Sequence, residues 1–100
     1  MLNNRDQEEP LREVRGDTTL WHIKETLHRI GGPALECADG FKSWFKDGQH
    51  HRIGGPAVEF PSGVKLWFLD GDRFDHLDEY CDAAGIAGSD KTIFLLKWAE

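Results

Sequence analysis

The sequence predicts an α+β fold: an antiparallel β-meander of tandem 23-residue hairpin repeats, followed by a C-terminal helical unit packed on one face. Three observations predict it. His28 to His50 and His51 to Arg73 are two copies of one segment, identical at 14 of 23 positions. Trp21, Trp44 and Trp67 recur at that same interval and carry the period back into an earlier, degenerate copy. After Arg73 the apolar spacing changes from alternation to Phe74, Leu77, Cys81 and Ala84, which is helical. Fixed-period self-similarity of this kind marks a repeat architecture.

Each copy divides into two short extended runs. Pro33 to Ala38 and Phe41 to Lys46 flank Asp39-Gly40, and Pro56 to Pro61 and Val64 to Leu69 flank Ser62-Gly63. Such pairs of residues favour tight hairpin turns. Asp47-Gly48 and Asp70-Gly71 turn the chain between copies. The Gly-Gly-Pro triplets exclude a helix there. A meander of about five strands is expected, with alternation sorting its side chains. Leu35, Cys37, Phe41, Phe45, Val58, Phe60, Val64, Leu66 and Phe68 form the expected core face. Ala34, Glu36, Lys42, Trp44, Ala57, Glu59, Lys65 and Trp67 form the other.

In the C-terminal unit, Asp75 is the expected N-cap of a first helix and Gly85 its stop. Ser89 would cap a second segment, Asp90 to Ala99, read as helix with strand as the competitor. The unit is expected to cover the core face, because a lone meander leaves its apolar face wet. The organisation is therefore a polar N-terminal segment over residues 1–17, a repeat sheet over 18–73 (a degenerate copy 18–27, then 28–50 and 51–73), and a helical unit over 74–100.

Charge narrows the class of partner. The net charge is −6, and residues 70–82 contain six acids and one base, a local −5. These acids are Asp70, Asp72, Asp75, Asp78, Glu79 and Asp82, opposed by Arg73. Direct nucleic-acid binding is not expected, since it rests on clustered basic charge. A basic protein surface is the expected partner, on a host or a cognate protein. No apolar run has the length of a membrane span, and residues 1–15 lack the apolar core of a secretory signal. A cytoplasmic protein that binds no membrane, monomeric or a small homo-oligomer, is expected.

The residues HRIGGPA-x-E, Gly and WF-x-DG, present twice, resemble the MORN-like repeats of the HR-x-x-GPA type. Such repeats occur in small bacteriophage proteins and in bacterial proteins described as antitoxin components. The resemblance covers residues 18–73 and implies one β-hairpin per repeat. It also implies a role directed at other proteins: an inhibitor of a host enzyme or defence complex, located in the host cytoplasm if phage-encoded, or an antitoxin-type component that sequesters a toxin. A scaffold that self-associates through sheet edges is the third alternative. The Tyr-x-Gly start of eukaryotic MORN arrays is absent, and phospholipid binding is not expected.

No motif points to catalysis, a cofactor or a metal. His28 and His51 occupy one repeat position and read as turn chemistry. His50 and His51 are adjacent, so a strand would send them to opposite faces. Ser43, Ser62 and Ser89 lie outside any nucleophile motif, and Cys37 and Cys81 read as buried free thiols. A non-catalytic binding module remains. Its candidate contact residues are the six acids, which could imitate nucleic-acid phosphates in a basic groove, and the row Trp21, Trp44 and Trp67. The indoles have two readings: each seals its own repeat over Ala34 or Ala57, or together they form an aromatic docking surface. Trp98 reads as core.

Overall fold

A computed structural model describes residues 9–99. It is an antiparallel sheet followed by two helices. Strands β1 (Leu11–Arg15), β2 (Thr18–Ile23), β3 (Thr26–Leu27), β4 (Leu35–Cys37), β5 (Lys42–Ser43), β6 (Phe45–Lys46), β7 (Gln49–His50), β8 (Val58–Glu59), β9 (Lys65–Leu69) and β10 (Asp72–Phe74) precede α1 (Leu77–Ala84) and α2 (Gly88–Trp98). Seven strands run in the order β1-β2-β4-β5-β8-β9-β10, with β3 paired to β2, and β6 and β7 form a separate ribbon. The strand count exceeds the expected five because the chain at each Asp-Gly turn folds into a second small hairpin. Asp47-Gly48 and Asp70-Gly71 have positive φ at both residues, the conformation of tight hairpin turns. Lys24 and Glu25 adopt the same conformation without a glycine.

The hydrogen bonds recur with the same period as the sequence. Trp21 donates its backbone N–H to Ala34 O and Trp44 to Ala57 O, at 2.8 and 2.7 Å. Asp47 N–H donates to His28 Nδ1 and Asp70 N–H to His51 Nδ1, at 3.0 and 2.9 Å. The two histidines thus fasten equivalent Asp-Gly turns, which is the turn chemistry their duplication suggested.

Three features depart from the expectations. First, the polar N-terminal segment over residues 1–17, for which no strand was expected, contains β1, which pairs with β2 from Leu11↔His22 to Arg15↔Thr18. The first eight positions of that segment lie outside the described residues. Pro10 and Glu13 stand one sequence period before Pro33 and Glu36, and β1 flanks β2 as β4 flanks β5. The turn here has two residues, Gly16 and Asp17, whereas β4 and β5 are joined around Ala38-Asp39-Gly40. The register moves by one: Glu13 faces Leu20, while Glu36 faces Lys42. A one-residue slip sends a side chain to the opposite face, so Glu13 leaves the face that Glu36 and Glu59 share.

Second, the helices do not cover the expected core face. Leu20, Leu35, Ser43, Val58 and Leu66 are cross-strand neighbours on that face, and Phe60 and Val64 nearby remain 38% and 53% exposed. The helices pack instead on Trp67, on the opposite face. Its ring lies 4.9 Å from Tyr80, 5.7 Å from Phe94 and 5.4 Å from Trp98. Ala34 and Ala57, on that same face, are fully buried.

Third, helix boundaries differ. His76, not Asp75, is the N-cap of α1, without a side-chain cap bond. Gly85 does end it in the left-handed conformation, φ 80°. The second segment is helical and begins at Gly88 after Ala87, ahead of Ser89. The buried residues of α1 are Tyr80 and Cys81. Tyr80 sits outside the Phe74, Leu77, Cys81, Ala84 spacing, yet it anchors the helix. Cys81 is buried and Cys37 only half-buried, and neither forms a disulfide.

Candidate functional site

The tryptophan row is built in the same way at two positions and differently at the third. The Arg29 guanidinium lies 3.8 Å from the centre of the Trp21 ring, and that of Arg52 lies 3.9 Å from Trp44. Each arginine is fixed at its far end too. Arg29 Nη1 donates to Pro33 O and Arg52 Nη1 to Pro56 O, both at 3.0 Å. The second glycine of each Gly-Gly-Pro passes directly behind: a Cβ on Gly32 would fall 2.8 Å from Arg29 Cζ, and one on Gly55 would fall 2.5 Å from Arg52 Cζ. His-Arg-Ile-Gly-Gly-Pro is therefore a device for laying a guanidinium flat on an indole. Glu59 adds an ion pair to Arg52 at 3.2 Å, and Glu36 lies 4.0 Å from Arg29.

One period after Arg52 the chain has Asp75, so Trp67 receives no arginine. Tyr80, Phe94 and Trp98 take that place, each edge-on to the indole. The Tyr80 hydroxyl reaches back into the preceding loop, donating to Arg52 O, lying 3.3 Å from Gly55 O and accepting the Gly54 N–H at 3.1 Å. Burial of the ring raises its phenol above the usual range. All three tryptophans of the sequence-derived candidate row therefore have a lid against their rings. Trp98 is half-buried, part of the third lid.

The acidic candidates lie at the same end of the molecule as that lid. Asp70 and Asp72 flank the turn between β9 and β10, Asp75 precedes α1, and Asp78, Glu79 and Asp82 project from it; all six are exposed. They are not equivalent. Asp70 Oδ1 lies 3.3 Å from His51 Nδ1, Asp75 pairs with Arg73 at 3.3 Å, and Asp82 accepts from Lys91 Nζ at 2.8 Å. That last bond holds the Lys91 ammonium above its usual pKa. Asp72, Asp78 and Glu79 make no ion pair among the described residues. Composition reveals the charge of the cluster but not Lys91, which only the turn between α1 and α2 brings to Asp82.

A second ionisable cluster was not anticipated. At the opposite end of the sheet Glu13 accepts from Arg15 Nε at 2.7 Å and lies 3.0 Å from His22 Nε2. The Arg15 hydrogen bond holds the Glu13 carboxyl below its ordinary range. These residues, with Leu20, Glu25, Leu27 and Leu35, line a shallow depression of about 440 Å³. The slipped register of β1 creates it, and sequence spacing carries no trace of that slip. A carboxylate held by a guanidinium hydrogen bond is a weak base, so the cluster reads as an edge clamp. Among the described residues no group of three or more His, Cys, Asp or Glu could hold a metal ion.

Comparison with protein families, with curated proteins and with solved structures finds no match. No helix among the described residues is long and apolar enough to cross a membrane.

Proposed function

We propose that the protein is a non-catalytic protein-binding module that docks on a basic surface of its partner through its C-terminal acidic end. The observation that carries this is the contrast between the two candidate surfaces. The tryptophan rings are covered by arginines or helix aromatics, whereas Asp72, Asp78 and Glu79 are exposed without ion pairs among the described residues. Exposed like charges at one end steer association with a complementary surface. A basic groove built for nucleic-acid phosphates is such a surface.

The reading of the sheet as tandem hairpin units of the MORN-like HR-x-x-GPA type supports the same class of function. It rests on the periodic recurrence of the Trp–Arg stack and the His–turn bond. Within that class, an inhibitor of a host or defence protein is the leading role and an antitoxin-type component the alternative. Both act by occupying a partner's surface.

Affinity capture with the wild-type chain and with Asp72→Lys, Asp78→Lys, Glu79→Lys tests the reading. The three positions avoid the paired acids, so the fold should survive. The wild type should retain a partner at low salt and release it as salt rises, and the triple variant should fail to retain it. Equal recovery by both, at both salt concentrations, would remove the proposal.

A further inference from the structure

Strand β9 is paired over different residues on its two sides. On one side β8 pairs through Val58↔Leu66 and Glu59↔Lys65. On the other, β10 reaches only Trp67, Phe68 and Leu69. Lys65 and Leu66 have no strand there among the described residues.

The two preceding equivalents of this edge are filled. Thr19 and Leu20 of β2 pair with Glu36 and Leu35 of β4, and Lys42 and Ser43 of β5 pair with Glu59 and Val58 of β8. The residues that would fill the third edge stand one period beyond Val58 and Glu59, namely Cys81 and Asp82, and they are in α1. The switch to helix leaves a groove of about 750 Å³ beside β9. Residues 62–67 form one wall, and Phe74, Leu77 and Trp98 stand on the other. The Trp98 indole N–H is buried without a hydrogen-bond partner among the described residues. An unpaired strand edge and the Trp98 ring thus line one slot.

We propose that this groove binds an extended segment of a partner protein by strand addition to β9. Main-chain hydrogen bonds to an open sheet edge supply affinity in this mode, and alternate side chains supply specificity. The residues at the filled edges state the chemistry required. Leu35-Glu36-Cys37 and Val58-Glu59-Phe60 are both apolar–acidic–apolar. Each glutamate lies directly across from Thr19 or Lys42, and Lys42 sits between Glu36 and Glu59. Lys65 has Glu59 on one side, and among the described residues its ammonium bonds only the Gly63 carbonyl of its own turn, at 3.1 Å. A carboxylate on the incoming strand would complete the same three-residue ladder, with apolar residues beside Val64 and Leu66.

A second copy is a poor occupant. Its other edge strand, β1, places Arg12 and Val14 on the face that Lys65 shares, because they pair with Trp21 and Thr19. Its Glu13 points to the opposite face and is held by Arg15 and His22. The groove's lining includes Asp75 and Arg73 but none of Asp72, Asp78 and Glu79, on which the proposed docking rests, so either reading can fail without the other.

The probe is a blocked synthetic peptide with the sequence of Gly55–Ser62, titrated into the isotope-labelled full chain. Amide shifts should be confined to residues 62–67 and the β10 region, with the Trp98 indole N–H moving as well. Two further peptides carry N-methyl groups on alternate backbone nitrogens, one along each edge. One should lose binding and the other keep it, because only one edge faces β9. Lys65→Glu should weaken the parent peptide about tenfold, and a peptide with its glutamate changed to lysine should regain that affinity on the variant. Lys65→Gln replaces Lys65→Glu if the latter loses its dispersed spectrum, and should weaken binding in the same direction. No shifts at millimolar peptide, shifts centred elsewhere, or indifference to both methylation patterns would overturn the proposal. Concentration-dependent shifts of the same amides without peptide would overturn the choice of occupant in favour of a second copy.

Discussion

Trp44 and Trp67 occupy the same position in successive copies, and their surroundings differ in kind. Trp44 is covered by one guanidinium that its own following loop delivers. Trp67 is covered by three aromatic rings from two helices. An internal unit can leave its tryptophan under a half-exposed arginine because the next hairpin supplies the flank. The last unit has no successor. Tyr80 both packs on Trp67 and ties into the loop from Arg52 to Gly55, so the lid fastens the end of the sheet to the unit before it.

The comparison breaks most visibly at the rings themselves. Trp67→Ala should destabilise by about 3 kcal/mol or more, the range for deleting a packed aromatic. Trp21→Ala, near the opposite end and under an arginine alone, should cost less than half as much by urea unfolding. Equal losses would show that the helices add nothing to the third position.

Tyr80→Phe sharpens the role of the lid. It keeps the ring and removes the hydroxyl from Arg52 O and Gly54 N–H. The expected loss is about 1–3 kcal/mol, from buried backbone groups left unpaired. Amide exchange at Gly54 should accelerate more than at its equivalent Gly31. A loss confined to a few tenths would mean that water replaces the hydroxyl.

A smaller effect tests the ribbon between units. His50 lies between Phe45 and Phe68, at ring distances of 4.3 and 4.9 Å, and burial lowers its pKa below the usual histidine value. The unfolded chain therefore binds a proton at higher pH than the folded one. Stability present above the unfolded pKa, roughly 6.5, should fall as pH drops through the folded value and level off below it. His50→Phe should flatten that slope. An unchanged slope would assign it to other groups.

Much of the sheet was legible because a duplicated sequence reports its own period, and Asp-Gly pairs mark turns by backbone preference alone. The limits were physical. Pro10 and Glu13 carried the period further back, but the two-residue turn at Gly16-Asp17 reversed the faces of β1, and alternation cannot register such a slip. Tyr80 was passed over because its role depends on a loop distant in the chain. The covered face was misassigned for a related reason. Alternation ranked the aliphatic face as core, while Arg29 and Arg52 turn the mixed face into a packed one by hiding the indoles. Among the site candidates, the acids were found by charge alone. The pairing of Asp82 depends on Lys91, which only the tertiary fold brings close.

The central claim is that each tryptophan has its own lid, and a double-mutant cycle between Arg52 and two tryptophans tests it most directly. Unfolding free energies would be measured for Arg52→Ala, Trp44→Ala, Trp67→Ala and the two doubles. Arg52 and Trp44 should couple by about 0.5–2 kcal/mol, the strength of a cation over an indole. Arg52 and Trp67 should add within about 0.5 kcal/mol, as sites without direct contact do. Coupling to Trp67 as strong as to Trp44, or none to Trp44, would contradict the account.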